Sequence, residues 1–421
     1  MKAIKKLSGL TVAATLALSS LSTSAAPALE SYNIDTSEIS ISGLSSGAFM
    51  AVQMHVSYSN TFMGVGSVAG GVYYCAEGAQ GNATGRCMAA AQGGSIPSGS
   101  YFKDKANSFA SQGKIDATSN MNGDKVWIFT GSNDSVVNTE DSDRLRDFYE
   151  FYTNSSNITY VRNTVGAEHA MPTQDHGNSC GYKGDPYIND CNYDTAGEIL
   201  SHIYGNLSAR TNTVSSNLKD FDQSAFHSSF YLHNDGYIYV PDSCDAGATC
   251  KLHVALHGCV QNKNKVGNEY ALHTGYNQWA ESNDIIVLYP QTSLSATNQC
   301  WDWWGYADLI AGGEYHVKSG SQMTFLKDLV DHVAGGSGGN PTPTPTPTGN
   351  PTPTPTPPPG GNCTEHYDSN WNHVNAGRAT TCNSWYACAT GSGDNMGLKN
   401  IYTYTTLAQT SSGYYELGSC P

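Results

Sequence analysis

Five residues near the start of the chain, Gly43-Leu44-Ser45-Ser46-Gly47, restrict its fold more than any other stretch. A Gly-x-Ser-x-Gly run sets a serine on a strained strand-to-helix turn, with small residues where the chain passes close to itself. Its flanks fit that turn, because "SEISIS" (37–42) alternates like a strand and 48–57 carries a helical pattern. Serine and glycine are abundant here, so the motif alone is a modest signal. Such a turn belongs deep in a sheet, after several strands, yet at most one strand precedes it. The other strands must come from the rest of the chain.

The chain has 421 residues, enough for one large domain or two. Residues 1–26 read as a signal peptide: Lys2, Lys5 and Lys6, an apolar run from Leu7 to Leu21, then small residues near Ala25 to Ala28. No later run is long and apolar enough to span a membrane. Secretion, no membrane partner and a monomer are the expectations. Twelve cysteines fit an oxidising compartment, and sequence proximity pairs Cys75 with Cys87, Cys180 with Cys191 and Cys244 with Cys250. No metal site and no cofactor are expected. His253 and His257 share a strand, where four residues span roughly 13 Å, too far for one ion. A net charge of −15 argues against nucleic acid as a partner.

Residues 336–361, a Pro-Thr repeat, cannot pack a core and favour an extended polyproline II tether. They divide a domain at 27–335 from a small one at 362–421. In the large domain, strands are expected at 37–42, 62–70, 125–131, 158–163, 251–258 and 284–290. A hairpin is expected over 230–241, around Asn234-Asp235-Gly236. Helical patterns at 48–57, 141–153 and 321–333 lie among them. Buried strands alternating with helices imply an α/β fold, a mostly parallel sheet with helices on both faces.

The order of these segments is unusual. "VALHGCVQ" (254–261) has the form of an oxyanion-hole loop, which in an α/β-hydrolase lies upstream of the nucleophile turn. Here it lies downstream, and the following helix, strand and helix lead only into the tether. Joined end to start, the order becomes conventional, so a circular permutation is expected. Together "YNIDTSEISISGLSSGAFMAVQM", "LHGCVQ", "WAESNDIIVLYPQ" and "CWDWWG" resemble the extracellular poly(3-hydroxybutyrate) (PHB) depolymerases, specifically the subgroup with a permuted catalytic domain. The resemblance covers most of 30–335. It implies a circularly permuted α/β-hydrolase fold and hydrolysis of an insoluble polyester.

Ser45 is then the expected nucleophile. A serine needs a histidine base oriented by a carboxylate. Among thirteen histidines, His169 follows the strand that would be last in conventional order, in a His-x-x-Pro-Thr context similar to the family's. His257 is the rival, inside the oxyanion-loop motif. Asp134 follows a strand end and precedes His169, whereas Asp116 and Asp124 precede that strand and read as turn residues. The order Ser45, Asp134, His169 is the α/β-hydrolase order. The oxyanion amides should be those of Ser46 and, by the resemblance, Cys259. The resemblance also pairs Cys259 with Cys300, against a reading of Cys259 as a thiolate nucleophile. Trp301, Trp303 and Trp304 are candidates to line an apolar cleft for successive monomer units, with core packing the ordinary alternative.

The small domain holds Cys363, Cys382, Cys388 and Cys420, which allow three pairings. It is rich in aromatics and has no catalytic set. Members of the resembled family often carry a polymer-binding domain in this position. A polysaccharide target or a structural role stays open. The leading expectation is a secreted serine esterase acting on PHB. A feruloyl or acetyl-xylan esterase is the alternative, and a non-catalytic polymer-binding protein a third reading.

Overall fold

The computed structural model describes residues 26–88, 95–211, 215–308, 314–335, 363–382, 386–399, 404–418 and 420. The expected signal peptide but for its last residue, and the Pro-Thr tether, lie outside the described residues. The chain divides into two units, 1–340 and 341–421.

The large unit is built on β1 (Ile34–Leu44), β2 (Gly64–Val68), β3 (Lys125–Thr130), β4 (Ile158–Arg162), β5 (Met171–Thr173), β6 (Asn178–Ser179), β7 (Ile188–Asp190), β8 (Leu218–Asp222), β9 (Asp235–Tyr239), β10 (Cys250–Leu256) and β11 (Ile285–Tyr289). Eight of these form one sheet in the order β4-β3-β2-β1-β10-β11-β9-β8. The six strands from β4 to β11 run parallel, and β9 and β8 close the sheet antiparallel. The central strands are buried on both faces, as a sheet covered on both sides requires, and largely apolar there. β1 thus lies mid-sheet, between β2 and β10. The two ends of the unit meet: the Tyr32 amide donates to Val333 O (2.8 Å), and His332 Nε2 bonds Leu29 O (2.8 Å).

Two local expectations are corrected. The hairpin at 230–241 does not form, because β9 pairs with the upstream β8, with Phe221 opposite Gly236. A side chain on Gly236 would strike the Phe221 ring at 2.6 Å, so the glycine marks close packing rather than a turn. The helix expected to follow the 254–261 segment is two helices, Glu269–His273 and Tyr276–Asn283, parted at Gly275 with φ 95°. That left-handed geometry suits glycine.

Beneath the nucleophile turn runs a buried polar seam. His253 on β10 bonds Ser40 Oγ and Ser42 Oγ of β1, each at 2.7 Å, and the serines bond Tyr204 and Tyr276 hydroxyls at 2.6 Å. Burial lowers the His253 pKa to about 3, so the imidazole is neutral.

The small unit has two three-stranded antiparallel sheets. β12 (Thr364–Ser369), β16 (Tyr404–Ser411) and β17 (Tyr414–Leu417) form one; β13 (Ala379–Cys382), β14 (Tyr386–Ala389) and β15 (Asn395–Leu398) form the other. Its disulfides join Cys363 to Cys420 and Cys382 to Cys388.

Candidate active site

β1 ends at Leu44 and the helix Ser46–Ser57 begins two residues on, leaving Ser45 alone on the turn. Its backbone sits at φ 57°, ψ −121°, a conformation that costs a non-glycine residue energy and recurs at functional sites. The Ser45 amide donates to Val68 O (2.9 Å), and its carbonyl accepts from Ala48 and Phe49. A Cβ on Gly43 would lie 2.4 Å from the Gly47 carbonyl carbon, and one on Gly47 would lie 2.3 Å from Leu256 O. Both glycines are therefore demanded by backbone approach.

Asp134 stands in the loop after β3. Its Oδ1 accepts from the amides of Val136 (2.9 Å) and Val137 (3.0 Å), while its Oδ2 lies 3.0 Å from His169 Nδ1. A carboxylate there favours the proton on Nδ1 and leaves Nε2 as the basic nitrogen. Ser45 and His169 line one cavity. Glu168, which sequence reasoning missed, ties the acid loop to the histidine loop. Its Oε1 accepts from the Ser135 amide (2.8 Å), Ser135 Oγ (2.9 Å) and the His169 amide (3.0 Å). Burial pushes the Glu168 carboxyl up, but those donors outweigh it and hold it below the usual range. Asp116 and Asp124 are engaged elsewhere, with Lys318 and with His55 (3.2 Å).

On the opposite wall is the 257–261 turn. His257 is wholly buried, and burial lowers its pKa to about 4. Its Nδ1–H donates to Gly258 O (2.7 Å) and its Nε2 accepts from the Thr292 amide (3.3 Å), so both nitrogens are engaged in holding the turn. Gln261, also unanticipated, accepts from the Gly258 amide (2.7 Å) and donates to Pro186 O (2.8 Å). Val260 N is bonded to Asn298 O, whereas the amides of Ser46 and Cys259 donate to no protein group among the described residues. Cys259 is disulfide-bonded to Cys300, so it holds no thiolate. The other bridges join Cys75 to Cys87, Cys180 to Cys191 and Cys244 to Cys250.

Between these walls lies a cavity of about 240 Å³, mostly apolar, bounded by Phe49, Met88, Val136, Val137, Trp303 and Trp304 among others. Trp303 stacks on Phe49 with centroids 4.0 Å apart. Trp301 is the exception among the three tryptophans. It does not line the cavity and is fully buried, with its amide donating to Ser46 Oγ (3.3 Å) and its ring 5.3 Å from that of His257. It packs the floor of the site rather than facing a ligand. Asp302 folds the rest of this loop around itself, accepting from the amides of Gly305 (2.6 Å), Tyr306 (3.0 Å) and Ala307 (3.0 Å).

A serine on a strained turn, a carboxylate-oriented imidazole and two unengaged amides can attack an acyl carbon and steady the resulting oxyanion. On a mostly parallel sheet of this kind, that chemistry defines a serine hydrolase of the α/β-hydrolase class. Comparison narrows the class. The chain is 40% identical, over an alignment of 479 residues, to a poly(3-hydroxybutyrate) depolymerase of Delftia acidovorans, covering 94% of this chain and 95% of that one. It is 40% identical over 311 residues to a polyhydroxybutyrate depolymerase of Talaromyces funiculosus, covering 68% and 89%. Among solved structures it resembles a PHB depolymerase with one serine replaced by alanine, complexed with an R3HB trimer. The TM-score is 0.67 and the identity 36%, covering 73% of this chain and 99% of that one. No family profile matches the chain. The chain belongs to the poly(3-hydroxybutyrate) depolymerase family.

Proposed function

We propose that this protein is a secreted esterase that hydrolyses poly(3-hydroxybutyrate) through an acyl-enzyme on Ser45. The observation that carries the reading is the sharing of one apolar cavity by Ser45 and an Asp134-oriented His169. Ser45 Oγ attacks an ester carbonyl as its proton passes to His169 Nε2. Asp134 steadies the imidazolium, and the amides of Ser46 and Cys259 receive the oxyanion, each worth about 3–4 kcal/mol in a comparable site. The tetrahedral adduct collapses, His169 protonates the departing hydroxyl end, and water admitted on the same base releases the acyl group. Phe49, Trp303 and the valines at 136 and 137 supply a wall suited to the methyl-bearing repeat.

The mid-sheet position of β1 and the meeting of Tyr32 with Val333 support the reading of the connectivity as a circular permutation. Disulfides on every described cysteine support an oxidising, extracellular destination. Among the described residues no helix is long and apolar enough to cross a membrane. The small unit is proposed as the anchor on solid polymer. Its Tyr367 (72% exposed) and Trp371 (45%) offer aromatic surface, while Trp385 and Tyr402 lie outside the described residues.

Incubation with amorphous PHB film, followed by identification of soluble products, tests the function. Hydroxybutyrate monomers and oligomers are expected, absent with Ser45→Ala. Release of ferulate or acetate from plant polysaccharide, with PHB untouched, would replace this reading by the esterase alternative. Full adsorption with no product at all would leave a binding protein.

A further inference from the structure

Away from the catalytic residues, two sets of ligating side chains converge among the described residues, and one of them has its ligand atoms free of covalent bonds to each other. Glu269 and His273 stand one turn apart on the helix Glu269–His273, on a common face. His176 reaches them from the turn after β5, and the three ligand atoms all lie within 4.8 Å of one another. The His176 and His273 rings stack with centroids 3.9 Å apart, and His176 Nε2 is 3.4 Å from Glu269 Oε2. The turn is held firmly, because Thr173 Oγ1 accepts from the His176 amide (3.2 Å) and donates to its carbonyl. A small polar cavity of about 120 Å³ adjoins, bordered by Asp175, Asp194 and Arg210. Both aspartates pair with Arg210, at 2.5 and 3.8 Å. Together with Glu269 they outnumber that single guanidinium, so carboxylates exceed it three to one in this neighbourhood.

We propose that His176, Glu269 and His273 bind a divalent transition-metal ion, zinc by preference, which fastens the loop that follows His169 to the helix Glu269–His273. Two imidazoles and one carboxylate suit zinc, whereas magnesium and calcium demand oxygen donors. Ligand bonds of about 2.0–2.2 Å require the donor atoms to close to about 3.4 Å, which rotation of three half-buried side chains out of the stack can supply. Pairing of one ligand set from two distant parts of the chain explains why no sequence spacing signalled it. The other convergent set, Cys75, Cys87 and Asp141, has its sulfurs in a disulfide.

The test uses the full chain, stripped with a chelator and titrated with Zn²⁺ alone by calorimetry. One equivalent is expected to bind in the micromolar range and to raise Tm by a few degrees. His273→Ala and His176→Ala should each weaken binding by about 10-fold or more and abolish the Tm rise. Should His273→Ala fail to fold, His176→Ala decides, since that side chain lies on a half-exposed turn. Co²⁺ in place of zinc should give visible absorption bands that both variants lose. No binding below millimolar Zn²⁺, or binding that survives both substitutions, would overturn the proposal. The readout needs no ester substrate, so it stands or falls apart from the depolymerase reading.

Discussion

The sheet around Ser45 and the 363–420 unit differ in how each holds its side chains in place. The large unit buries both faces of its central strands, and the residues of its site hang on loops pinned by specific hydrogen bonds. In the small unit, the described core reduces to Ala379, Ala387, Ala389, Met396 and Leu407, with two disulfides supplementing it. So little apolar burial contributes only modestly, and staples are the ordinary remedy at this size. A catalytic site needs positions fixed within a fraction of an ångström, which a deep core with interlocked loops provides. A surface anchor needs only a stable platform for exposed rings.

The sharpest way to break this contrast is at the turn. Ser45→Ala and His169→Gln should each lower kcat on a soluble short-chain ester by about 10⁴ or more, with circular dichroism unchanged. Near-normal turnover by His169→Gln would remove it from the mechanism. His257 could not replace it without breaking its bonds to Gly258 and Thr292.

Much of this was readable beforehand, and the gaps have physical causes. The central strands and the Gly43–Gly47 turn are dictated by local pattern, since alternation, apolar runs and glycine spacing are chain-neighbour properties. Asp134 and His169 could be proposed because strand ends fix where such side chains emerge and, for His169, because its His-x-x-Pro-Thr context is similar to the family's. Glu168 and Gln261 could not. Each acts through backbone groups far along the chain, Ser135 in one case and Pro186 in the other, and no spacing encodes that. Which of the three tryptophans packs as core was not readable for a related reason: three tryptophans in four positions look alike in sequence, and contacts such as that of the Trp301 amide with Ser46 come from far along the chain.

The small unit offers the next test. Replacing Cys363 and Cys420 together by serine should cost that unit about 2–5 kcal/mol. Adsorption to polyester granules should fall severalfold, while turnover of a soluble ester stays within about twofold, because tethering acts through effective concentration at the surface. Undiminished adsorption after the unit has unfolded would shift the anchor to the large unit. A smaller effect is expected at Glu168, whose role is to position. Glu168→Gln keeps an acceptor but loses the charge that draws in three donors. About a 10-fold fall in kcat with KM unchanged is expected. A rise in KM alone would instead place the residue in substrate binding.

The mildest test is pH, and it again separates the units. A histidine buried neutral has a folded pKa below its unfolded value. Its stabilising contribution is complete above about pH 6.5 and is lost as pH falls, because the unfolded chain takes up a proton that the fold refuses. In the large unit His253 and His316 are lowered to about 3 and His257 to about 4, burial being the main cause in each. Each therefore removes about 1.4 kcal/mol per pH unit below its unfolded pKa. Burial lowers His202, His227 and His273 as well. Buried acids act oppositely. Asp302 is raised to about 6, Asp141 well above its usual value and Asp328 also upward, chiefly by burial, so each favours the fold as it takes up its proton on acidification. The histidines outnumber these carboxylates, which leaves a net loss on acidification. In the small unit His373 is lowered by burial, and it sits against Thr405 O and Arg378. Between pH 6.5 and 4.5 the thermal transition of the large unit should therefore fall more steeply than that of the small one, measured by calorimetry on the full chain. His253→Gln can retain hydrogen bonds to Ser40 and Ser42 but does not titrate, so it should make that slope shallower even if it lowers Tm at pH 7. A slope unchanged by His253→Gln would mean that the seam beneath the nucleophile turn admits a proton without unfolding.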